Sequence, residues 1–272
     1  MSNILNSALD LIRRLPPQKV EDNLGKLVDI CPEYADDLLT HVDQPLKVRQ
    51  CSETGRNYLI CDYNRDGDSY RSPWSNKYEP DLEDGTFPSS SLRKLEVSTN
   101  EAFDVYREMY FDGGISSAYL WDTDDGFAGV VLLKKENFPS DSSKAVYDGI
   151  HVFEVIERGR QAQYKLTSTI MLNIFRNGVN GEQDKVELAG SMTRQVQRDA
   201  SLDSTLPFPH VPNIGKQIED MEGKMRSQLQ DIYFSKTRDI LNELRSMNGL
   251  DEEKKRIAMH NELMGNLRKM TP

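Results

Sequence analysis

The sequence predicts an α+β protein with an N-terminal helical stalk and a five-stranded antiparallel sheet covered by a long helix, ending in an amphipathic C-terminal tail. Three observations carry this. Apolar residues recur at helical spacing near the N-terminus and are cut by prolines. Between Ser116 and Val196 the apolar period falls to two, in segments divided by turn residues. From Asn213 to Gly249 the steps return to three and four in one long run.

At the start, Leu5, Ala8, Leu9 and Ile12 share one helix face, and Pro16-Pro17 ends that helix. QKVEDNLGKLVDIC forms a second helix with Val20, Leu24, Leu27 and Val28 on one face. Pro32 breaks it, and PEYADDLLTHV begins a third with proline in its first turn. Tight breaks between short helices predict a small antiparallel bundle, a stalk over residues 1–48. Residues 49–115 link it to the sheet. There RNYLICDYN reads as a strand, and the next stretch is rich in Gly, Pro, Ser, Asn and Asp. Its aromatics Tyr70, Trp74, Tyr78 and Phe87 are expected to pin it to the body of the protein. LRKLEVSTNEAFDVYREMYF then reads as a helix.

The predicted strands are SSAYLWDT, FAGVVLLKK, IHVFEVIE, AQYKLTSTIMLNIF and DKVELAGSMTRQV, with FPSDSSKAVYDG as an excursion between the second and third. In the fourth, Tyr164, Leu166, Ser168 and Ile170 face one way and Lys165, Thr167, Thr169 and Met171 the other. Short connections require an antiparallel meander. Pro209 and Pro212 are expected to hold the long helix off until Asn213, its N-cap, and Gly249 to end it. The domain built from residues 116–249 thus joins sheet and helix. Some 35 helical residues would span roughly 50 Å, whereas five strands are only about 24 Å wide. Laid across the sheet, such a helix would overhang it and call for a second sheet beside the first.

Residues 250–272 form the tail. Ile257, Met259, His260, Leu263, Met264, Leu267 and Met270 fall on one half of a helical wheel, with Lys254, Asn261, Gly265, Arg268 and Lys269 on the other. The chain carries a net charge of −10, which argues against nucleic-acid binding, yet residues 213–272 hold 11 basic residues against 10 acidic. A locally basic tail on an acidic body points to an acidic partner. The apolar face of the tail lacks Trp and Phe, which disfavours a membrane surface.

No chemistry is legible. Asp62-Tyr63-Asn64-Arg65-Asp66-Gly67 opens like a calcium loop, but Pro73 stands where its closing Glu is required. The glycines form no phosphate-binding loop, and the four histidines show no ligand spacing. Cys31, Cys51 and Cys61 are odd in number and never spaced as C-x-x-C, as expected of reduced thiols. The first residues lack the pattern of a signal peptide, so a cytoplasmic protein is expected.

The run LICDYNRDGDSYRSPWSNKYEPDLEDG, with LRKLEV, SAYLWD, DGFAGVVLLKK, YKLTSTIML and QDIYFSKTRDI, resembles the β subunit of F-actin capping protein. ALDLIRRLPPQKVEDNL and VDQPLK match as well, so the resemblance reaches from about Ala8 to Met247. It implies an obligate heterodimer with a similarly shaped α subunit, the two sheets joined side by side. It implies a cytoskeletal protein that blocks subunit addition and loss at the barbed ends of actin filaments, without calcium, metal, cofactor or catalysis. Phosphoinositide and protein regulators of capping follow from the resemblance too. The alternative is a structural or adaptor subunit of a larger complex containing an actin-like filament.

Carried over residue by residue, the resemblance puts Lys224 and Arg226 on the actin-facing surface and makes the tail the mobile actin-binding segment. Leu263 and Leu267 are its expected inserting residues, flanked by Met264 and Ile257. Full burial of one leucine would stabilise by roughly 1.5–3 kcal/mol. Gly265 interrupts that helix at a cost of about 1 kcal/mol.

Overall fold

The computed structural model describes residues 3–140, 143–176 and 186–231. The chain divides into two compact units, Met1–Glu222 and Gly223–Pro272.

Three helices open the first unit: α1 (Asn3–Arg14), α2 (Val20–Ile30) and α3 (Ala35–His41). They close on a core of Leu5, Ala8, Leu9, Ile12, Val20, Leu24, Leu27 and Leu38. Pro17 and Pro32 each begin a single turn of 3-10 helix, where a missing N–H loses no hydrogen bond.

Residues 42–46 lead to a hairpin of β1 (Lys47–Gln50) and β2 (Asn57–Ile60). The following turn-rich segment contains a small sheet of β3 (Arg65–Asp66), β4 (Ser69–Arg71) and β5 (Tyr78–Glu79). Strands of two and three residues are too short to express a period, so side-chain pattern cannot reveal them. The aromatics do pin this segment. Tyr78 is buried and donates to the Thr86 carbonyl at 2.8 Å, and Trp74 Nε1 donates to the Asn57 carbonyl at 3.0 Å. Phe87 stays exposed, edge-on to Tyr78 at 5.4 Å.

Helix α4 (Ser90–Tyr110) follows. Its cap, Ser89, accepts the Leu92 N–H and is itself fixed by Asp122, which takes both the Ser89 N–H and hydroxyl at 2.7 Å.

The main sheet has the order β10-β9-β8-β7-β6, all antiparallel. Its strands are β6 (Ile115–Thr123), β7 (Gly126–Ser140), β8 (Ser143–Arg158), β9 (Gln161–Arg176) and β10 (Val186–Ser201). The expected excursion at 138–149 is therefore corrected: β7 runs to Ser140, and β8 is already paired from Ser143, with one register shift between Asn137 and Ser140. Asp148 masked this strand in the sequence. It is tolerated on a buried face because Lys134 of β7, its register partner, lies 2.9 Å away.

Both faces of the sheet are covered. One holds Tyr119, Val130, Leu132, Ile150 and Met171 against Leu46 and Leu59. The other packs under α4 and α5 (His210–Gln230). Burial on both sides is why β7 reads as the unbroken apolar run VVLL. At Gly129 a Cβ would lie 2.3 Å from Leu120 Cδ2 and 2.8 Å from the Tyr119 carbonyl oxygen, so no side chain fits there.

Two expectations for α5 are corrected. It starts at His210 rather than Asn213, with Pro212 inside its first turn, where the backbone N–H has no helical partner in any case. Up to Glu222 it also runs along the strands. His210 meets Glu157 and Glu222 meets His151, six residues apart on β8, about 20 Å, matching the roughly 18 Å rise of the helix between them. Strands of 16 residues are about 50 Å long. A helix laid along the strands is not measured against sheet width, so that width gives no argument for a second sheet.

Candidate functional site

Helix α5 carries two of the six expected site residues, both in its second-unit part. Its buried stripe in the first unit is Ile214, Gln217, Ile218, Met221 and Glu222. Two polar clamps tie that stripe to the sheet. In the first, His210 Nε2 lies 3.2 Å from Glu157 and Nδ1 lies 2.8 Å from the Tyr164 hydroxyl. Phe127 meets the imidazole edge to face at 5.0 Å. Asn213 Nδ2 donates to the Tyr164 hydroxyl and to the Ser201 carbonyl, both at 3.1 Å, instead of capping the helix. Burial lowers the His210 pKa, with Glu157 opposing it.

The second clamp is centred on Glu222, fully buried. Its carboxylate accepts from the hydroxyls of Tyr106 and Tyr147, the latter at 2.9 Å, and from His151 Nε2 at 3.2 Å. The other ring nitrogen of His151 meets Ser168 Oγ at 2.9 Å. Burial alone would push the Glu222 carboxyl up. The hydrogen bond and charge of His151, with the two tyrosine hydroxyls, outweigh it and hold the carboxyl below its ordinary value. Exposed contacts complete the attachment: Tyr110 donates to Glu219 at 2.6 Å and Arg198 to Asp220 at 3.0 Å. Such a cluster positions a helix. Its nitrogens and oxygens are taken up in mutual bonds.

Of the second unit, residues 223–231 are described. Lys224 and Arg226 are exposed, whereas Met225 and Leu229 are buried. Residues two apart on an α-helix point about 200° from each other, so the two cations leave α5 on opposite flanks of its buried stripe rather than as one patch. Among the described residues neither has an ion-pair partner. Ile257, Leu263, Met264 and Leu267 lie outside the described residues.

Sequence reasoning missed a second polar centre. The Arg71 guanidinium grips Glu96 of α4 through two bonds of 2.8 and 2.7 Å, both side chains being buried. Glu96 also accepts the Leu120 N–H of β6 at 2.7 Å and a bond from Arg93. Arg71 donates further to Asn76 Oδ1 at 2.7 Å, at a residue with φ 57°. This centre locks the SYRSPWSNKY segment to helix and sheet together. No local spacing could announce it, since Arg71 and Glu96 stand 25 residues apart. In the calcium-like loop, Asn64 Oδ1 accepts the Cys61 N–H and its amide donates to the Arg71 carbonyl, both at 2.9 Å, so this side chain shapes the turn. Among the described residues no group of three or more His, Cys, Asp or Glu is placed to hold a metal ion. No described helix is long and apolar enough to cross a membrane.

Comparison with known proteins matches residues 5–241 to the family model described as F-actin capping protein, beta subunit. The F-actin-capping protein subunit beta of Emericella nidulans is 53% identical over 265 residues, covering 97% of this chain and 98% of its own. That of Drosophila melanogaster is 53% identical over 261 residues, covering 95% and 93%. Among solved structures, the homodimeric actin capping protein alpha subunit from Plasmodium berghei matches with a TM-score of 0.50 and 15% identity, over 88% of this chain and 94% of that one. At that identity the likeness is one of fold.

Proposed function

This chain belongs to the F-actin capping protein β-subunit family, and from that premise we propose that it pairs with an α subunit to bind actin filament barbed ends and block subunit addition and loss there. The observation that carries this reading is the match to named capping subunits at 53% identity over 97% of the chain. No covalent step, cofactor or calcium enters the mechanism; capping is occlusion by binding.

The pairing has a physical counterpart in β10. Among the described residues this strand pairs only with β9, leaving its outer edge with unpaired backbone groups along 16 residues. A long free edge is what soluble proteins cover. We assign that edge to the α subunit, so that the two sheets continue into one. The similarity in fold to a capping α subunit supports pairing of like with like.

Binding to the filament is assigned to α5 and the tail. Lys224 and Arg226 would steer the complex towards acidic actin, one from each flank of the helix. Leu263 and Leu267, flanked by Ile257 and Met264, would hold the contact by burial. In the same reading residues 1–48 are the stalk, residues 250–272 the mobile arm, and the complex works in the cytoplasm on the cytoskeleton. Phosphoinositide and protein regulators would act by competing with actin for this surface.

The test is elongation of labelled actin from preformed filament seeds, with this chain co-expressed with its α subunit. Arrest of barbed-end growth at substoichiometric protein is the expected result. A well-formed heterodimer that leaves elongation unchanged would refute capping and move the chain to an adaptor role beside an actin-like filament.

A further inference from the structure

The two ends of the main sheet are finished differently. Strand β10 keeps a long free edge, whereas outward backbone groups of β6 are met by side chains of α4. Alternate residues of an antiparallel edge strand turn their N–H and C=O away from the sheet. On β6 these include Ala118 and Leu120, since both send their N–H to α4. Asn100 takes the Ala118 N–H on Oδ1 at 2.9 Å and returns Nδ2 to the Ala118 carbonyl, also at 2.9 Å. A residue of a neighbouring antiparallel strand would make that same pair of bonds. The second amide hydrogen of Asn100 goes to the Glu96 carbonyl at 2.9 Å, so this buried side chain has no donor left over. One helical turn earlier, the Glu96 carboxylate accepts the Leu120 N–H at 2.7 Å. Glu96 and Asn100 stand about 6 Å apart along the helix, and Leu120 and Ala118 about 7 Å apart along the strand. Helix α4 therefore runs antiparallel to β6 and nearly in step with it. The hairpin of β1 and β2 does not extend the ladder either. Leu59 of β2 gives its N–H to Ser117 Oγ at 2.9 Å and accepts the Tyr119 hydroxyl at 2.7 Å, and β1 and β2 form a sheet of their own. Along β10, among the described residues, no side chain takes both the N–H and the C=O of one strand residue.

We propose that Asn100, with Glu96, is an edge stop: it takes the place of a sixth strand on β6, so that the sheet extends through β10 alone and the complex closes as one pair of subunits.

The inference rests on the pairing proposed above only for what covers β10. An unpaired strand edge is a template for another chain. A sheet open at both ends could therefore add complex upon complex, because a contact that symmetry does not close propagates. The strand excluded by the stop is β6 of a second complex, which would otherwise pair antiparallel with this one across a two-fold axis. The stop is rigid. Arg71 and Arg93 hold the Glu96 carboxylate from the other side, and Ser89 at the start of α4 is fastened to Asp122 at the end of β6 through two bonds of 2.7 Å. An incoming strand would have to displace Asn100 and leave its amide buried without partners, so exchange of side chain for strand is opposed.

The test is Asn100→Leu in the full chain, co-expressed with its α subunit; leucine keeps the branched shape and loses donor and acceptor. Sedimentation over a concentration series should show a single pair of subunits for the unmodified chain throughout, and a doubling of mass for Asn100→Leu as concentration rises. Amide hydrogen exchange reads the same event locally. In the dilute variant the Ala118 N–H should exchange at least about tenfold faster than in the unmodified complex, with Val131 in the middle of β7 unchanged. That protection should return when the variant associates. Phe103→Leu, which loosens the packing of α4 and touches none of these bonds, should stay a single pair. A folded Asn100→Leu complex that stays a single pair at every concentration would overturn the proposal, as would equal association by Phe103→Leu. Should Asn100→Leu fail to fold, the unmodified complex decides. Ala118 and Leu120 amides protected as strongly as Val131 support the stop, and exchange at the rate of an open strand edge refutes it. Failure of the pairing itself is read separately, since the unmodified chain would then purify without an α subunit, and the Ala118 comparison would be made on the chain alone.

Discussion

Glu96 is the side chain on which most of the local order converges, taking bonds from Arg71, Arg93 and the Leu120 N–H. Truncating it would leave the Arg71 guanidinium buried without a counter-charge. Glu96→Ala should therefore destabilise by about 3–5 kcal/mol in denaturant unfolding, and replacing both partners by apolar residues of similar volume should recover most of that. A single-variant loss under 1 kcal/mol would show that water reaches Arg71. His210 makes a prediction of opposite kind. Its folded pKa is lowered, so the unfolded chain binds the extra proton as pH falls through the ordinary histidine range. Stability should drop between pH 7.5 and 5.5, and His210→Gln should reduce that drop. Asp148 works against it, since a raised carboxyl favours the folded state at the acid end. Such residues were not legible in advance. Glu222 meets His151 across 71 positions, and an isolated His or Glu in an amphipathic pattern carries no mark of its partner.

At the scale of elements, the sequence spoke more clearly. The prolines that divide α1, α2 and α3 were readable because proline acts locally, and the meander was readable because β9 alternates, β7 holds a short apolar run, and turn residues such as Asp124-Asp125-Gly126 divide the strands. Where reading failed, a tertiary contact had overridden a local signal. Lys134 made Asp148 admissible in a strand, and the tolerance of a first helical turn for proline let α5 begin at His210. Legibility of the proposed site was partial in the same way. Lys224 and Arg226 were picked out as a pair, whereas helix geometry sends them to opposite flanks. That separation has a consequence. Independent charges contribute independently, so Lys224→Glu and Arg226→Glu should each slow association with filament ends about threefold at low salt, and the double variant by about the product. Raising the salt should shrink all three effects. A double variant no slower than either single one would mean that only one flank faces actin.

At the scale of the molecule, the chain must both cover its β10 edge and reach a filament, and different parts serve the two tasks. The edge belongs to the first unit and contains no residue of the tail. Removing residues 250–272 should therefore leave pairing with the α subunit intact, seen as unchanged co-elution and an unchanged melting midpoint. Its effect on capping should be large. Two leucines that each stabilise by roughly 1.5–3 kcal/mol on burial account together for at least about 100-fold in affinity. The truncated heterodimer should then need at least that much more protein to arrest seeded elongation, while its charge-driven association rate falls far less, because Lys224 and Arg226 remain. A faster release with a nearly preserved arrival is thus the signature of an arm that holds rather than steers. If the truncated protein capped as tightly as the full chain, the tail residues Ile257, Leu263, Met264 and Leu267 would leave the site, and α5 would have to supply the contact by itself.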